Sequence, residues 1–133
     1  MKQLALDDCQ PTVKLLVAGS RTFTDREFAF GKLDNLVSRI TASGGQVAVI
    51  SGRARGADWI GEEWASYRGF KVLPFSADWN KNGKAAGPIR NAEMVEIADA
   101  AVFFWDGISK GTEGAIKLVE AKGIPARIFR IYG

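Results

Sequence analysis

Four short segments collect the residues of this chain that could do chemistry. Gly19-Ser20-Arg21 follows an apolar run at residues 13–17, and Ser51-Gly52-Arg53-Ala54-Arg55-Gly56-Ala57-Asp58 closes another at residues 47–51. Trp79, Lys84, Gly87 and Arg90-Asn91 stand in and just after a polar stretch, and Asp106-Gly107-Ile108-Ser109-Lys110-Gly111-Thr112 follows the run 100–105. Glycine lets backbone N–H groups approach an anion closely, and arginine adds a planar fork of donors, so the shared chemistry is phosphate or carboxylate recognition. Arg21, Arg53 and Arg55 are the candidate clamps, with simple solvation the alternative for one of the last two. Arg90, close behind a helix-starting proline, is an anion-facing candidate, and Asn91 could read a base or ribose edge. Asp58 and Asp106 are the carboxylates placed for chemistry, although an aspartate at a helix start ordinarily caps it. Trp79 could stack on a base or pack on its own loop, and Trp105 could be core or pocket wall. Trp59 and Trp64 read as packing.

Composition removes whole reaction classes. There is no histidine, which excludes Ser-His triads, imidazole bases and His-containing zinc sites, and Cys9 alone forms no disulfide framework. No metal or cofactor is expected. Proton transfer is left to carboxylate, lysine, tyrosine or water. The formal net charge is only +3, with acidic residues interspersed among the basic ones, which argues against a dedicated nucleic-acid module. No apolar stretch approaches the roughly 20 residues of a membrane helix, and residues 1–11 lack a signal pattern, so the expected setting is the cytoplasm, away from membranes.

The elements that must position these segments alternate strand and helix. Five apolar runs, at 13–17, 47–51, 70–75, 100–105 and 124–131, read as strands. Thr24 and Glu27 have capping-box spacing for a first helix burying Phe28, Leu33, Leu36, Val37 and Ile40. A second helix carries Ala57, Ile60, Trp64 and Ala65 and stops at Gly69. Pro88 is placed at the first position of a third, through Met94 and Ile97. The fourth carries Ile116 and Val119 and ends at Gly123. Nearly continuous apolar strands between amphipathic helices predict one α/β domain over residues 13–133, a doubly wound parallel sheet with helices on both faces. Residues 1–12 are expected to be a flexible segment. In such a sheet ligands bind beyond the carboxyl ends of the strands, where strand order reverses, and all four segments fall on that edge.

The series Val-Ala-Gly-Ser-Arg (17–21), Ser-Gly-x-Ala-Arg-Gly-Ala-Asp (51–58), Ala-Asp-Trp (77–79), Gly-Lys-Ala-Ala-Gly-Pro-Ile-Arg-Asn (83–91) and Trp-Asp-Gly-x-Ser-x-Gly-Thr (105–112) resembles the YspA-type branch of the SLOG superfamily. That superfamily also holds the DprA proteins and the Lonely Guy phosphoribohydrolases. The resemblance implies a Rossmann-like sheet of order 3-2-1-4-5 and a nucleotide-derived ligand, and such proteins are often bacterial or phage-borne. It does not carry catalysis with it. The phosphoribohydrolase motif Pro-Gly-Gly-x-Gly-Thr-x-x-Glu has its counterpart in Ser109-Lys110-Gly111-Thr112, but Ala115 stands where the glutamate belongs. Glu113 is rotated by roughly 200° from that position and reads as a helix-dipole partner.

Three functions stay open on these grounds. The first is a small-nucleotide site for a nucleoside monophosphate or an ADP-ribose- or NAD-related molecule, acting as sensor or sequestering protein. The second is hydrolysis of an N-glycosidic bond at that site. The third, ranked lower, is DprA-like binding of single-stranded nucleic acid, which calls for a continuous basic groove with stacking platforms. Self-association is allowed by the sequence and not specified by it.

Overall fold

The computed structural model describes residues 12–132. Cys9 and all but the last residue of the expected N-terminal segment lie outside the described residues, and Thr12 already belongs to the first strand.

Strands β1 (Thr12–Gly19), β2 (Gln46–Ser51), β3 (Lys71–Pro74), β4 (Ala100–Trp105) and β5 (Ala126–Arg130) form one parallel sheet of order β3-β2-β1-β4-β5. The period-two alternation of a strand sorts its side chains onto two faces. Leu15, Val17, Val49, Val102 and Phe104 point to one face, and Leu16, Ala18, Ile50, Ala101 and Phe103 to the other. Helices α1 (Arg26–Ala42) and α2 (Ala57–Arg68) cover the first face with Leu33, Val37, Ile60 and Trp64. Helices α4 (Ala86–Ile97) and α5 (Lys110–Lys122) cover the second with Met94, Val95, Ile116 and Val119. The doubly wound architecture is thus as the apolar runs require.

Between β3 and α4 the polar loop contains a single helical turn, α3 (Trp79–Asn82), followed by a 3-10 turn at Gly83–Ala85. The spacing of apolar residues could not announce α3, because it buries nothing; Asp78 caps it by accepting from the Lys81 N–H at 3.1 Å.

Polar ties set the helices on the sheet. Asp34 of α1 accepts from the buried Trp64 indole at 2.9 Å and from Nε and Nη2 of the Arg68 guanidinium at 2.8 and 2.7 Å, locking α1 to α2. Lys122 of α5 donates to the carbonyls of Val95, Glu96 and Ala98, satisfying the orphan C-terminal acceptors of α4.

Several boundaries differ from the expectation. Asp25, not Thr24, caps α1, its carboxylate accepting from the Phe28 N–H at 3.1 Å. Pro88 is the third residue of α4 rather than the first, which costs nothing because the first four N–H groups of a helix have no intrahelical acceptor. Strands β3 and β5 are shorter than the runs that predicted them. On α1, Phe28 is exposed at the rim instead of buried, while Leu33 and Val37 lie in the core. No helix among the described residues is long and apolar enough to cross a membrane.

Candidate functional site

The chain runs outward from β1 to β3 and then returns through α4 to β4, which lies on the other side of β1. Strand order reverses between β1 and β4, and a crevice opens beyond their carboxyl ends. Ser20 builds its floor. Fully buried, it donates its N–H to the Phe104 carbonyl at 2.9 Å and offers its own carbonyl to the Ala57 N–H at 3.2 Å. Its hydroxyl oxygen accepts from the Asp106 N–H at 3.0 Å and lies 3.3 Å from the Ser109 hydroxyl. One serine therefore ties the β1, β2 and β4 loops together, beneath the cleft rather than facing a ligand.

Two glycines make that closeness possible. At Gly19 a Cβ would run into the Phe104 carbonyl oxygen and stand 2.8 Å from the Ala57 Cβ. Gly56, at φ +80°, sits against the backbone of Ser20 and Arg21, with the Arg21 carbonyl carbon 2.6 Å from where a Cβ would be.

The cleft itself has a volume of about 330 Å3 and is walled by Arg21, Asp58, Arg90, Asn91, Asp106 and the first residues of α5, Lys110, Gly111 and Thr112. Ser109, the N-cap of α5, makes no capping bond; its hydroxyl donates instead to Asp106 at 2.9 Å. The first N–H groups of α5 are thereby left toward the cleft, carrying the positive end of the helix dipole.

Arg90 is oriented before any ligand arrives. Its Nη1 donates to the Gly52 carbonyl at 2.8 Å and its Nε to Asn91 Oδ1 at 3.1 Å, while Asn91 Nδ2 donates to the Gly111 carbonyl at 3.3 Å. Burial lowers the Arg90 pKa, partly offset by the charge of Asp58. Gly52 has no room for a side chain: a Cβ there would come within 2.8 Å of Asp58 Oδ2 and 3.1 Å of the Arg90 guanidinium.

The two carboxylates differ sharply. Asp58 does not cap α2, whose N-cap is Gly56; it is the second helical residue, buried, with Oδ2 accepting from the Ala54 N–H at 3.3 Å. Burial pushes its pKa up to about 6, opposed by that hydrogen bond and by the charge of Arg90. Asp106 spends its oxygens on its own loop, accepting from the Ile108 and Ser109 N–H groups, each at 2.8 Å. The Ser109 N–H foremost, then the Ile108 N–H, hold its pKa down to about 2. Among the described residues no group of three metal-ligating side chains assembles.

Two further hollows flank the cleft. One, about 280 Å3, lies across Arg21, Ala54 and Arg90 and contains Gly52, Arg53, Arg55, Trp59 and Trp79. Trp59 was expected to pack, but its position five residues from Trp64 turns it away from the core, and it is half exposed. The other hollow, about 720 Å3, shares Thr22 and Asp106 with the cleft and is lined by Phe28, which the sequence placed in the core, and by Phe23, Arg130 and Tyr132, which were not singled out in the sequence. Ser51 is buried under the β2 loop, donating to Glu62 Oε2 at 2.6 Å. Gly107 backs onto the Arg130 guanidinium, and Gly87 lies beside the Trp79 ring. Lys84 is exposed and lines none of the three hollows. Trp105 is half-buried and donates its indole N–H to the Ser109 carbonyl at 3.1 Å, so it shapes the β4 loop. Glu113 stands in the first turn of α5, 3.6 Å from Lys110, as its dipole role requires.

Comparison with known proteins agrees with this architecture. The model of the YspA, cpYpsA-related SLOG family matches residues 13–82. The chain is also 38% identical over 118 residues to the Gene 61 protein of Mycobacterium phage D29, covering 84% of this chain and 92% of that protein. No solved structure matches. The chain belongs to the YspA, cpYpsA-related SLOG family.

Proposed function

We propose that this SLOG-family domain binds a nucleotide or nucleotide-derived small molecule in the crevice between β1 and β4, its phosphate held by the start of α5, Arg21 and Arg90. The observation that carries this reading is the convergence of two arginines and an uncapped helix N-terminus on one cleft of about 330 Å3. Backbone N–H groups at a helix start and a preoriented guanidinium are the donors a phosphate accepts from most strongly. Family membership supports the same ligand class. In the cytoplasm such a protein acts as a sensor of the nucleotide or, as a relative of a phage protein, sequesters it.

Hydrolysis of an N-glycosidic bond is the second reading, and one observation favours it. Asp58 is a buried carboxyl with its pKa near 6 in the wall of the cleft, the kind of group that serves general acid–base chemistry at neutral pH. Asp106 is the weaker candidate, since its oxygens are already engaged and its low pKa makes it a poor base. Calorimetric titration with AMP, ADP-ribose and NAD tests binding, and chromatography of the same mixtures tests turnover. Heat of binding without release of free base supports the first reading. Steady release of base, lost in Asp58→Asn, replaces it with the second.

A further inference from the structure

The hollow beside the cleft has chemistry of its own. Trp59 and Trp79 are 52% and 53% exposed, far more than indoles need to be in a domain with a well-filled core. Both line this hollow together with Arg53 and Arg55, and no carboxylate does. Exposed aromatic rings among guanidinium groups make a surface suited to a nucleobase and its phosphate.

The loop that carries these groups is built, not slack. Arg53 has φ +65°, a left-handed conformation that a non-glycine residue adopts at a cost. Three contacts hold it there. Its N–H donates to Ser51 Oγ at 3.1 Å, its guanidinium pairs with Glu62 at 2.9 Å, and its carbonyl accepts from the Trp59 indole at 3.2 Å. The last bond also fixes the Trp59 ring. The Trp79 ring lies beside Gly87, where a Cβ would stand in ordinary van der Waals contact with it, 3.5 Å from Cη2.

Arg21, Ala54 and Arg90 line both compartments, so a bridging phosphate on these two arginines would face each at once. Ligand sites span roughly 300–1,000 Å3. Each compartment alone, at about 330 and 280 Å3, sits at the floor of that range, and joined they fall well inside it.

We propose that the ligand is a dinucleotide: two nucleoside units joined through phosphate, with one base in the hollow between Trp59 and Trp79 and the bridging phosphate over Arg21 and Arg90. This inference rests on the nucleotide site proposed above and extends it to a second base. Two linkages share this chemistry, a pyrophosphate as in NAD and a pair of phosphodiesters as in a cyclic dinucleotide, and the experiment includes both.

Isothermal titration of the full-length protein with AMP, NAD, a cyclic di-adenosine monophosphate and a single-stranded decanucleotide tests it. At least one of the two dinucleotides binds tenfold or more tightly than AMP. In Trp79→Ala the ratio of dinucleotide to AMP affinity collapses by about ten- to hundredfold, the range found when a stacking aromatic is truncated. Trp79→Tyr retains most of the ratio, and an unchanged melting temperature shows that the half-exposed ring was not holding the fold. Equal affinity for AMP and both dinucleotides overturns the second base and leaves the nucleotide site standing. No binding of any of the three overturns both. Tighter binding of the decanucleotide, with steep salt dependence, overturns the dinucleotide in favour of a nucleic-acid strand.

Discussion

Arg21 and Asp58 face the same cleft and call for opposite experiments. Arg21 is exposed, so Arg21→Ala should leave the melting temperature of the free protein nearly unchanged. Affinity for AMP should fall by about ten- to hundredfold, the loss of one charge-assisted hydrogen bond of about 1.5–3 kcal/mol. Equal affinity in both proteins removes Arg21 from the site. Asp58 is a matter of stability. Its folded pKa of about 6 stands above the ordinary 3.8, so the folded state holds the proton more tightly than the unfolded chain. Its contribution is therefore most favourable below pH 3.8, declines as pH rises through the interval up to about 6, and is a full penalty above it. That penalty is on the order of 2–3 kcal/mol. Asp58→Asn removes it, so the variant should gain in melting temperature over the wild type as pH rises from 4 to 7. Parallel pH profiles of the two would mean that Asp58 is ionised without cost, through Arg90 and Arg21.

At the scale of elements, glycines on helices test how the layers pack. Gly61 of α2 presses on β1, where a Cβ would stand 2.8 Å from Val17 Cγ1, whereas at Gly31 of α1 a Cβ meets nothing within 4 Å. Gly61→Ala should destabilise by about 1–3 kcal/mol through overpacking, and Gly31→Ala should stabilise by about 0.5–1 kcal/mol through helix propensity. Urea unfolding of both variants checks the pair, and two shifts of the same sign would contradict this packing. The five strands were legible because their apolar runs are almost unbroken, buried on both faces between helices. Boundaries were less so. Thr24 and Asp25 are both competent caps one residue apart, and the sequence does not say which one turns into the helix. The Trp59 expectation failed on helical arithmetic: five residues at about 100° each place it roughly 140° from Trp64, so the two indoles cannot share a stripe. Ser51 follows the same logic in a strand. It alternates with Val47 and Val49, which puts it on the α2 face against Glu62 and not in the cleft. The Phe23, Phe28 and Tyr132 hollow had no local signal, because it forms only when β1 and β5 lie on either side of β4.

Across the whole molecule, the sheet order is what turns four scattered segments into one edge. The β1, β2 and β4 loops meet through Ser20, and Arg90 and Asn91 of α4 reach back to Gly52 and Gly111, so the cleft is assembled from every quarter of the described chain. A ligand held there at a hundred times its dissociation constant should stabilise the entire domain by about 2.7 kcal/mol, seen as a single cooperative shift in the melting curve. Titration of the isotope-labelled protein with AMP, followed by backbone amide chemical shifts, tests the phosphate site most directly. The largest shifts are expected at Lys110, Gly111 and Thr112, with Arg21 and Thr22 moving alongside. AMP binding that leaves those amides in place, or saturating AMP, ADP-ribose and NAD that move no amide at all, would contradict it.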